Sequence, residues 1–271
     1  MKNAIYVFLC LLVFSCMTGP YKTTNKVYKK QARQFARTIS KINLTDTIGL
    51  QKADYWAGTS NFNLRKPNIV VIHHTAQNSC EQTLKTFTIP KTQVSAHYVI
   101  CEDGTIHHML NDYLRAWHAG SGRWGNISDV NSSSIGIELD NDGFEAFKEP
   151  QMLALEKLLA VLKKTYGIPN VNFIAHADLA PTRKNDPNVT FDWERLAKNG
   201  YGTWYSDTSK ITLPTDFNVH HTLKMIGYHC PDSAALIKTV KRKYLKQDTN
   251  TPLNPSDHKI IYAVWKELMK N

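Results

Sequence analysis

The spacing of hydrophobic residues changes along the chain, and each change predicts a different element. Residues 69–72 are a continuous apolar run, which is typical of a strand buried on both faces. Between Ser134 and Leu139 apolar and polar residues alternate, which directs Ile135, Ile137 and Leu139 to one face of a second strand. Both segments are therefore expected to be core strands.

The following segments complete a sheet and its covering helices. Residues 94–101 and 105–110 predict a hairpin, because the Asp103-Gly104 pair between them is a strong turn signal. Apolar residues over 152–166 follow a helical period, and the short apolar segment 171–175 predicts a strand after that helix. The pattern predicts an α/β fold with a mixed sheet flanked by helices.

The two ends of the chain differ from this central region. Residues 216–228, 233–245 and 256–269 each predict a short helix, so we expect a small C-terminal three-helix domain. The basic segment 27–42 is a candidate surface helix. The predicted organisation is a leader at 1–15, a tether with its surface helix at 16–66, a central domain at 67–205 and a helical domain at 206–271.

The first residues have the features of an export signal. Lys2 is followed by the apolar run 4–14 and by Ser15, and the run is shorter than the roughly 20 residues of a membrane span. Residues 13–16 resemble a bacterial lipobox, in which Cys16 would carry lipid, although Phe14 is an unusual occupant. Simple secretion and an uncleaved anchor are the alternatives. We therefore expect a lipid-anchored protein of the cell envelope.

Composition alone leaves several classes of binding partner open. The 271 residues carry a formal net charge of +10, which favours a polyanionic partner such as nucleic acid, an anionic membrane or a bacterial cell wall. The export signal and the lack of a basic-aromatic stacking motif argue against nucleic acid. Three cysteines follow the leader, namely Cys80, Cys101 and Cys230, and their spacing leaves a Cys80–Cys101 bridge open.

Three polar side chains at predicted strand ends match a catalytic zinc site. His73 follows the first strand, His176 follows the strand 171–175, and Asp186 lies ten residues later in a Pro-bounded loop. Two imidazoles and one carboxylate leave a fourth zinc position open for water. Each residue also has a structural interpretation, as a strand-end histidine or a turn-forming aspartate.

Two further charged residues fit the same chemistry. Alternation sends Glu138 to the face opposite Ile137 and Leu139, where a carboxylate is costly unless it has a function. Lys184, two residues before Asp186, would place its charge near the same site and stabilise an oxyanion. The alternative interpretation of Lys184 is a solvated surface charge.

Five ordered segments resemble the type 2 N-acetylmuramoyl-L-alanine amidases, a superfamily that includes the anhydromuropeptide amidase AmpD and the peptidoglycan recognition proteins. The segments span residues 68–200 and are Val-Ile-His-His-Thr-Ala (71–76), Val-Ser-Ala-His-Tyr (94–98), Ala-Trp-His-Ala-Gly (116–120), Ser-Ile-Gly-Ile-Glu-Leu (134–139) and Ala-His-Ala-Asp-Leu-Ala-Pro-Thr-Arg-Lys-Asn-Asp-Pro (175–187). The leader and the helical tail resemble the outer-membrane lipoprotein branch, whose C-terminal domain looks like a peptidoglycan-binding module.

The resemblance implies a role for each matching position. It implies a Zn²⁺ ion on His73, His176 and Asp186, with His73 preferred to its neighbour His74 as the ligand. Glu138 matches the catalytic acid/base, and Lys184 matches the lysine that stabilises the transition state. The positions near the substrate groove are His97, Trp117, His118 and Asn131, although core packing is equally expected for Trp117. Asn188 departs from the family, in which glycine often follows the Asp-Pro pair.

The function implied is hydrolysis of the amide bond between the lactyl group of N-acetylmuramic or anhydromuramic acid and the L-alanine of a peptidoglycan stem. A non-catalytic peptidoglycan receptor on the same fold is the alternative, but such receptors typically lack a metal ligand. The resemblance further implies a monomer that contacts peptidoglycan and muropeptides, and an anchor on the periplasmic face of the outer membrane. The segment 67–205 would be the amidase domain.

Overall fold

The computed structural model describes residues 19–40, 61 and 63–270. The chain divides into two compact units, Met1–Asn61 and Phe62–Asn271. In the first unit the described element is helix α1, Lys22–Ile39, which covers most of the predicted surface helix but begins earlier. The predicted leader and Cys16 lie outside the described residues. Within the described part, no helix combines the length and apolar character needed to cross a bilayer.

The second unit contains a five-stranded mixed sheet, as the sequence predicted. Its strands are β1 (Ile69–His74), β2 (Tyr98–Ile100), β3 (Ile106–His108), β4 (Ser134–Leu139) and β5 (Phe173–Ala175), in the order β3-β2-β4-β1-β5. Strands β2, β4, β1 and β5 are parallel, whereas β3 pairs antiparallel with β2 as the predicted hairpin. The carboxyl ends of the parallel strands therefore meet at one edge of the sheet.

Helices cover both faces of the sheet. In chain order they are α2 (Cys80–Thr88), α3 (Glu149–Tyr166), α4 (His176–Leu179), α5 (Trp193–Lys198), α6 (Val219–Ile226), α7 (Ser233–Leu245) and α8 (Pro255–Leu268). Helix α3 ends where Gly167 adopts a left-handed conformation with φ of 67°, which glycine reaches without steric cost. Helices α2, α4 and α5 were not predicted, because their short apolar patterns are too brief to establish a period.

Three predicted strands are shorter in the structure. The segment 94–101 is a strand only over Tyr98–Ile100, and 105–110 only over Ile106–His108. Residues Asn170–Asn172 form a 3-10 turn, so only Phe173–Ala175 remains of the predicted strand 171–175. In each case the register of the sheet pairs only three residues of the predicted segment.

Alternation along β1 divides the core into two layers. Val70 and Ile72 face a cluster that includes α3, whereas Ile69 and Val71 face a second cluster to which α6, α7 and α8 contribute. Leu223 of α6 is fully buried in that second cluster. The three C-terminal helices form where the sequence predicted them, and they share a core with the sheet.

A disulfide joins Cys80 at the start of α2 to Cys101 after β2, with Cα atoms 5.3 Å apart. The bridge that the sequence left open is therefore formed, and it ties α2 to the hairpin. Cys230 is free.

Replacing both cysteines, Cys80→Ser and Cys101→Ser, removes this bridge and is expected to lower the free energy of unfolding by about 3 kcal/mol. The reason is that the bridge closes a loop between residues 21 positions apart, and the unfolded chain regains the entropy of that loop. Urea unfolding at equilibrium measures the change. Cys230→Ser is the matched control and should leave the midpoint within error. An unchanged midpoint for the double variant would show that the bridge does not constrain the unfolded chain.

Candidate metal centre

Three candidate ligands lie together at the carboxyl edge of the sheet. His73 Nδ1, His176 Nδ1 and Asp186 Oδ2 are each 2.9 Å from the other two. All three residues are buried. His73 is the penultimate residue of β1 and His176 follows β5, so the parallel pairing of these strands places the rings side by side. Asp186 reaches them from the loop after α4, where its carbonyl accepts a hydrogen bond from the Ala177 amide.

A chain of hydrogen bonds fixes the proton on the His73 ring. The Ser134 hydroxyl donates to the Val130 carbonyl at 2.6 Å, so Ser134 Oγ accepts from His118 Nε2 at 3.2 Å. His118 Nδ1 is then an acceptor, and the atom 3.0 Å away, His73 Nε2, must donate to it. Burial first, and then neighbouring His176, lowers the pKa of His73 to about 4, so the ring is neutral with one proton. His73 Nδ1 therefore faces the cluster as a bare lone pair.

The second ring is fixed in the same way. His176 Nε2 lies 3.0 Å from the Ala119 carbonyl, which can only accept, so Nε2 carries a proton. His176 Nδ1 is the ring nitrogen that faces the cluster, 2.9 Å from both His73 Nδ1 and Asp186 Oδ2. Two imidazoles with one carboxylate are a donor set that suits Zn²⁺, so the residues fit the ion that the sequence predicted.

Glu138 lies beside this cluster. Strand register pairs it with His73 across β1 and β4, and alternation places both side chains on the same face. Its Oε2 is buried and has no hydrogen-bond partner within the described residues. Burial first, and then the nearby negative charge of Asp186, raises the pKa of Glu138 well above its usual value, while Lys184 opposes the shift. Such a carboxyl group is suited to exchanging a proton with a nearby water or substrate atom.

Lys184 and His74 lie outside the cluster and differ in their exposure to solvent. Lys184 is exposed, and its positive charge contributes to lowering the pKa of both His73 and Glu138. His74, the alternative ligand, is buried outside the cluster, with its Nε2 3.1 Å from the position that a β-carbon on Gly143 would take. The structure thus favours His73 over His74 as the candidate ligand.

Two of the residues predicted near the substrate groove are buried histidines. His97 is fully buried, with its Nε2 2.9 Å from the Leu114 carbonyl and its Nδ1 accepting from the Gly136 amide. His118 is buried, and its ring nitrogens lie within hydrogen-bond distance of His73 Nε2 and Ser134 Oγ. Both rings therefore support the centre through hydrogen bonds, and their contact with substrate stays a prediction.

Asn131 also has a supporting position. Its Oδ1 accepts from the backbone amides of His118 and Ala119 at 3.1 and 2.9 Å, so it holds the segment that contacts both candidate ligand rings. Trp117 differs, because its side chain is 53% exposed beside this buried segment. Contact between Trp117 and substrate stays a prediction.

The His118 ring lies directly on β4. A β-carbon built on Gly136 would be 2.4 Å from Cγ of that ring, closer than any real contact. Glycine is therefore required at this position for the ring to reach both His73 and Ser134. Sequence reasoning selected His118 but missed Ser134 and Gly136, whose only signal was their place on the same strand face as Glu138.

The C-terminal helices contribute a buried ion pair next to His176. Lys243 Nζ of α7 lies 2.5 Å from Asp178 Oδ2, and the Tyr228 hydroxyl donates to Asp178 Oδ1 at 2.9 Å. Asp178 Oδ2 also accepts from the Ala175 amide at 2.8 Å, which holds the turn that carries His176. These residues were not predicted as site residues, because nothing in their local sequence indicates that they meet.

Ser134→Ala should remove the acceptor of His118 Nε2 and so free the His73 ring to change its tautomer. We expect zinc affinity to fall by about tenfold or more, in line with other hydrogen bonds to metal-bound histidines. Competition with a chromogenic chelator measures this affinity. Ser133→Ala, one residue earlier and half-buried, is the control. Equal affinities of the two variants would contradict the proton assignment.

Lys243→Met should leave the buried Asp178 carboxylate without its cation and lower the free energy of unfolding by about 3–5 kcal/mol. Lys246→Met is the control, because its pair with Asp192 is exposed and spans 3.6 Å. Thermal and urea unfolding compare the two. Adding Asp178→Asn to Lys243→Met removes the unpaired charge and should restore most of the loss; no recovery would show that the ion pair is not the cause.

Comparisons with known proteins agree with this geometry. Residues 63–189 match the family model described as N-acetylmuramoyl-L-alanine amidase. The chain is 34% identical over 191 residues to the N-acetylmuramoyl-L-alanine amidase AmiD of Escherichia coli, a match covering 64% of this chain and 65% of that protein. It is 38% identical over 108 residues to the 1,6-anhydro-N-acetylmuramyl-L-alanine amidase AmpD of Haemophilus influenzae, covering 40% of this chain and 59% of that protein.

A solved structure extends the comparison to the fold. The complex of E. coli AmiD with anhydro-N-acetylmuramic acid-L-Ala-D-gamma-Glu-L-Lys superimposes with a TM-score of 0.68 at 26% identity, covering 82% of this chain and 98% of that one. The chain thus spans less than two thirds of the curated relatives in sequence, 65% of AmiD and 59% of AmpD, and nearly all of the solved AmiD chain in structure. The mixed sheet with helices on both faces is the shared fold.

Proposed function

We propose that this chain, whose residues 63–189 match the family model described as N-acetylmuramoyl-L-alanine amidase, is a zinc-dependent N-acetylmuramoyl-L-alanine amidase of type 2. The bond cleaved is the amide between the lactyl group of N-acetylmuramic or anhydromuramic acid and the L-alanine of the stem peptide. The observation that carries the proposal is the convergence of three candidate ligand atoms, from His73, His176 and Asp186, beside Glu138, whose Oε2 has no hydrogen-bond partner within the described residues. The ligand in the solved complex of the E. coli relative supports the substrate class.

His73, His176 and Asp186 would hold the ion through Nδ1, Nδ1 and Oδ2. When bound, Zn²⁺ would act as a Lewis acid that polarises a carbonyl and lowers the pKa of a coordinated water to about 7. Glu138 Oε2 takes a proton from the attacking water and later delivers it to the departing alanine nitrogen, so one carboxyl group serves as base and then as acid. The raised pKa of Glu138 suits both steps, because the carboxyl group then accepts a proton more readily and can still release it.

The proposed role of Lys184 is electrostatic stabilisation and not proton transfer. Its exposed cation, which acts electrostatically on Glu138 and His73, would stabilise the negative charge that develops on the carbonyl oxygen. The ammonium group sits on a flexible stem, so it can approach the substrate without disturbing the buried ligands. Trp117 is the exposed aromatic residue in this region and a candidate substrate contact.

The site of action is proposed to be the cell envelope. The export-like leader and the lipobox-like Cys16 support lipid anchoring, with the periplasmic face of the outer membrane as the expected location. The Cys80–Cys101 disulfide supports an oxidising compartment, where such bonds persist. A role of α6, α7 and α8 in binding peptidoglycan remains part of the proposal.

The activity is tested by mass spectrometry of purified muropeptides incubated with the chain from residue 17 onward. The expected product is an intact stem peptide with a free N-terminal alanine, and a zinc chelator should abolish its release. Cleavage at another bond would contradict the assigned reaction. Binding without any product by a folded, zinc-loaded protein would instead support the non-catalytic receptor.

Glu138→Gln keeps the shape of the side chain and removes its proton exchange. We expect kcat to fall by at least about 100-fold while zinc content and the unfolding midpoint are unchanged. Glu194→Gln on α5 is the control and should retain full turnover. Undiminished turnover of Glu138→Gln would remove Glu138 from the mechanism, and loss of zinc would instead make it a ligand.

A further inference from the structure

Helix α1 separates its charges from its apolar residues. At about 100° per residue, six cations fall within an arc of about 100°, and they are Lys22, Lys26, Lys29, Lys30, Arg33 and Arg37. Tyr28, Phe35 and Ile39 lie on a separate arc. The helix contains no acidic residue. One face of α1 is therefore a continuous cationic stripe, here defined as these six residues.

Repulsion within the cationic stripe lowers the stability of helix α1. Lys22 and Lys26, Lys26 and Lys30, and Lys29 and Arg33 are like charges four residues apart, and such pairs destabilise a helix. No side chain caps the first turn, and no residue of α1 is buried. A helix of 18 residues without packing is marginal in water, so the structure of α1 calls for a binding partner.

We propose that α1 binds the surface of an anionic phospholipid bilayer through the cationic stripe. The negative surface relieves the repulsion between neighbouring lysines and arginines, and a flat surface fits a straight row of charges along five turns of helix. Lys22 lies six positions after Cys16, a reach of at most about 20 Å, so a lipid on Cys16 would hold α1 against the same membrane. This inference does not rest on the amidase activity.

The exposed apolar residues add a second contribution. Phe35 is 52% exposed and Ile39 is 73% exposed, both near the C-terminal end of α1. Amphipathic helices of this composition lie in the plane of the membrane interface, with long cationic side chains reaching the headgroups. The charge of the stripe is the larger contribution, because Tyr28, Phe35 and Ile39 offer little apolar surface for an 18-residue helix.

The test is co-sedimentation of residues 17–271, which retain every described residue and lack the predicted lipid, with vesicles of phosphatidylcholine alone or mixed with phosphatidylglycerol. We expect binding to the anionic vesicles only, falling as salt rises from about 0.05 to about 0.5 M. K26Q/K30Q/R33Q should weaken it by at least about tenfold.

The matched control is K85Q/K157Q/K164Q, which removes three exposed lysines from α2 and α3 and the same net charge. Retained binding by this control, with loss in the α1 variant, would support the proposal. Equal binding by both variants, or equal binding to neutral vesicles, would overturn it. The proposal would also be overturned if neither the unsubstituted chain nor the α1 variant bound vesicles, and the α1 variant alone lost binding to isolated peptidoglycan. That result would assign the stripe to the cell wall. Unfolding midpoints confirm that both variants fold.

Discussion

The candidate metal centre depends on two backbone carbonyls that can only accept hydrogen bonds. The Val130 carbonyl orients Ser134, and through His118 it fixes the proton of His73 on Nε2. The Ala119 carbonyl does the same for His176 directly. Both rings consequently turn Nδ1 toward the Asp186 carboxylate. A metal ion would bind all three atoms at once, and the two carbonyls orient the rings for it.

The fold supplies this arrangement from several separate parts. Parallel strands bring His73, His176 and Glu138 to one edge of the sheet, on the face covered by the C-terminal helices. Helix α7 supports the turn that carries His176 through the buried pair of Lys243 with Asp178. This helix therefore stabilises the candidate metal centre as well as the core that it shares with the sheet.

How much the sequence could predict follows from the range of each interaction. His73, His176 and Glu138 were found because strand ends and alternation are local patterns that determine edge and face. The preference for His73 over His74 came from the family motif and agrees with the observed cluster. The supporting roles of His97 and His118 and the pairing of Asp178 with Lys243 join segments distant in the chain, and only packing determines those contacts. Helix α1 was predicted as a surface helix, but its cationic stripe emerged only once its bounds were known.

The most direct test of the central claim is ¹⁵N NMR of the histidine side chains in the zinc-loaded protein. The account predicts that His73 and His176 both carry their proton on Nε2 and bind zinc through Nδ1, with His118 protonated on Nε2. A proton on Nδ1 of either His73 or His176 would contradict it, because the carbonyls of Val130 and Ala119 would then not control the centre.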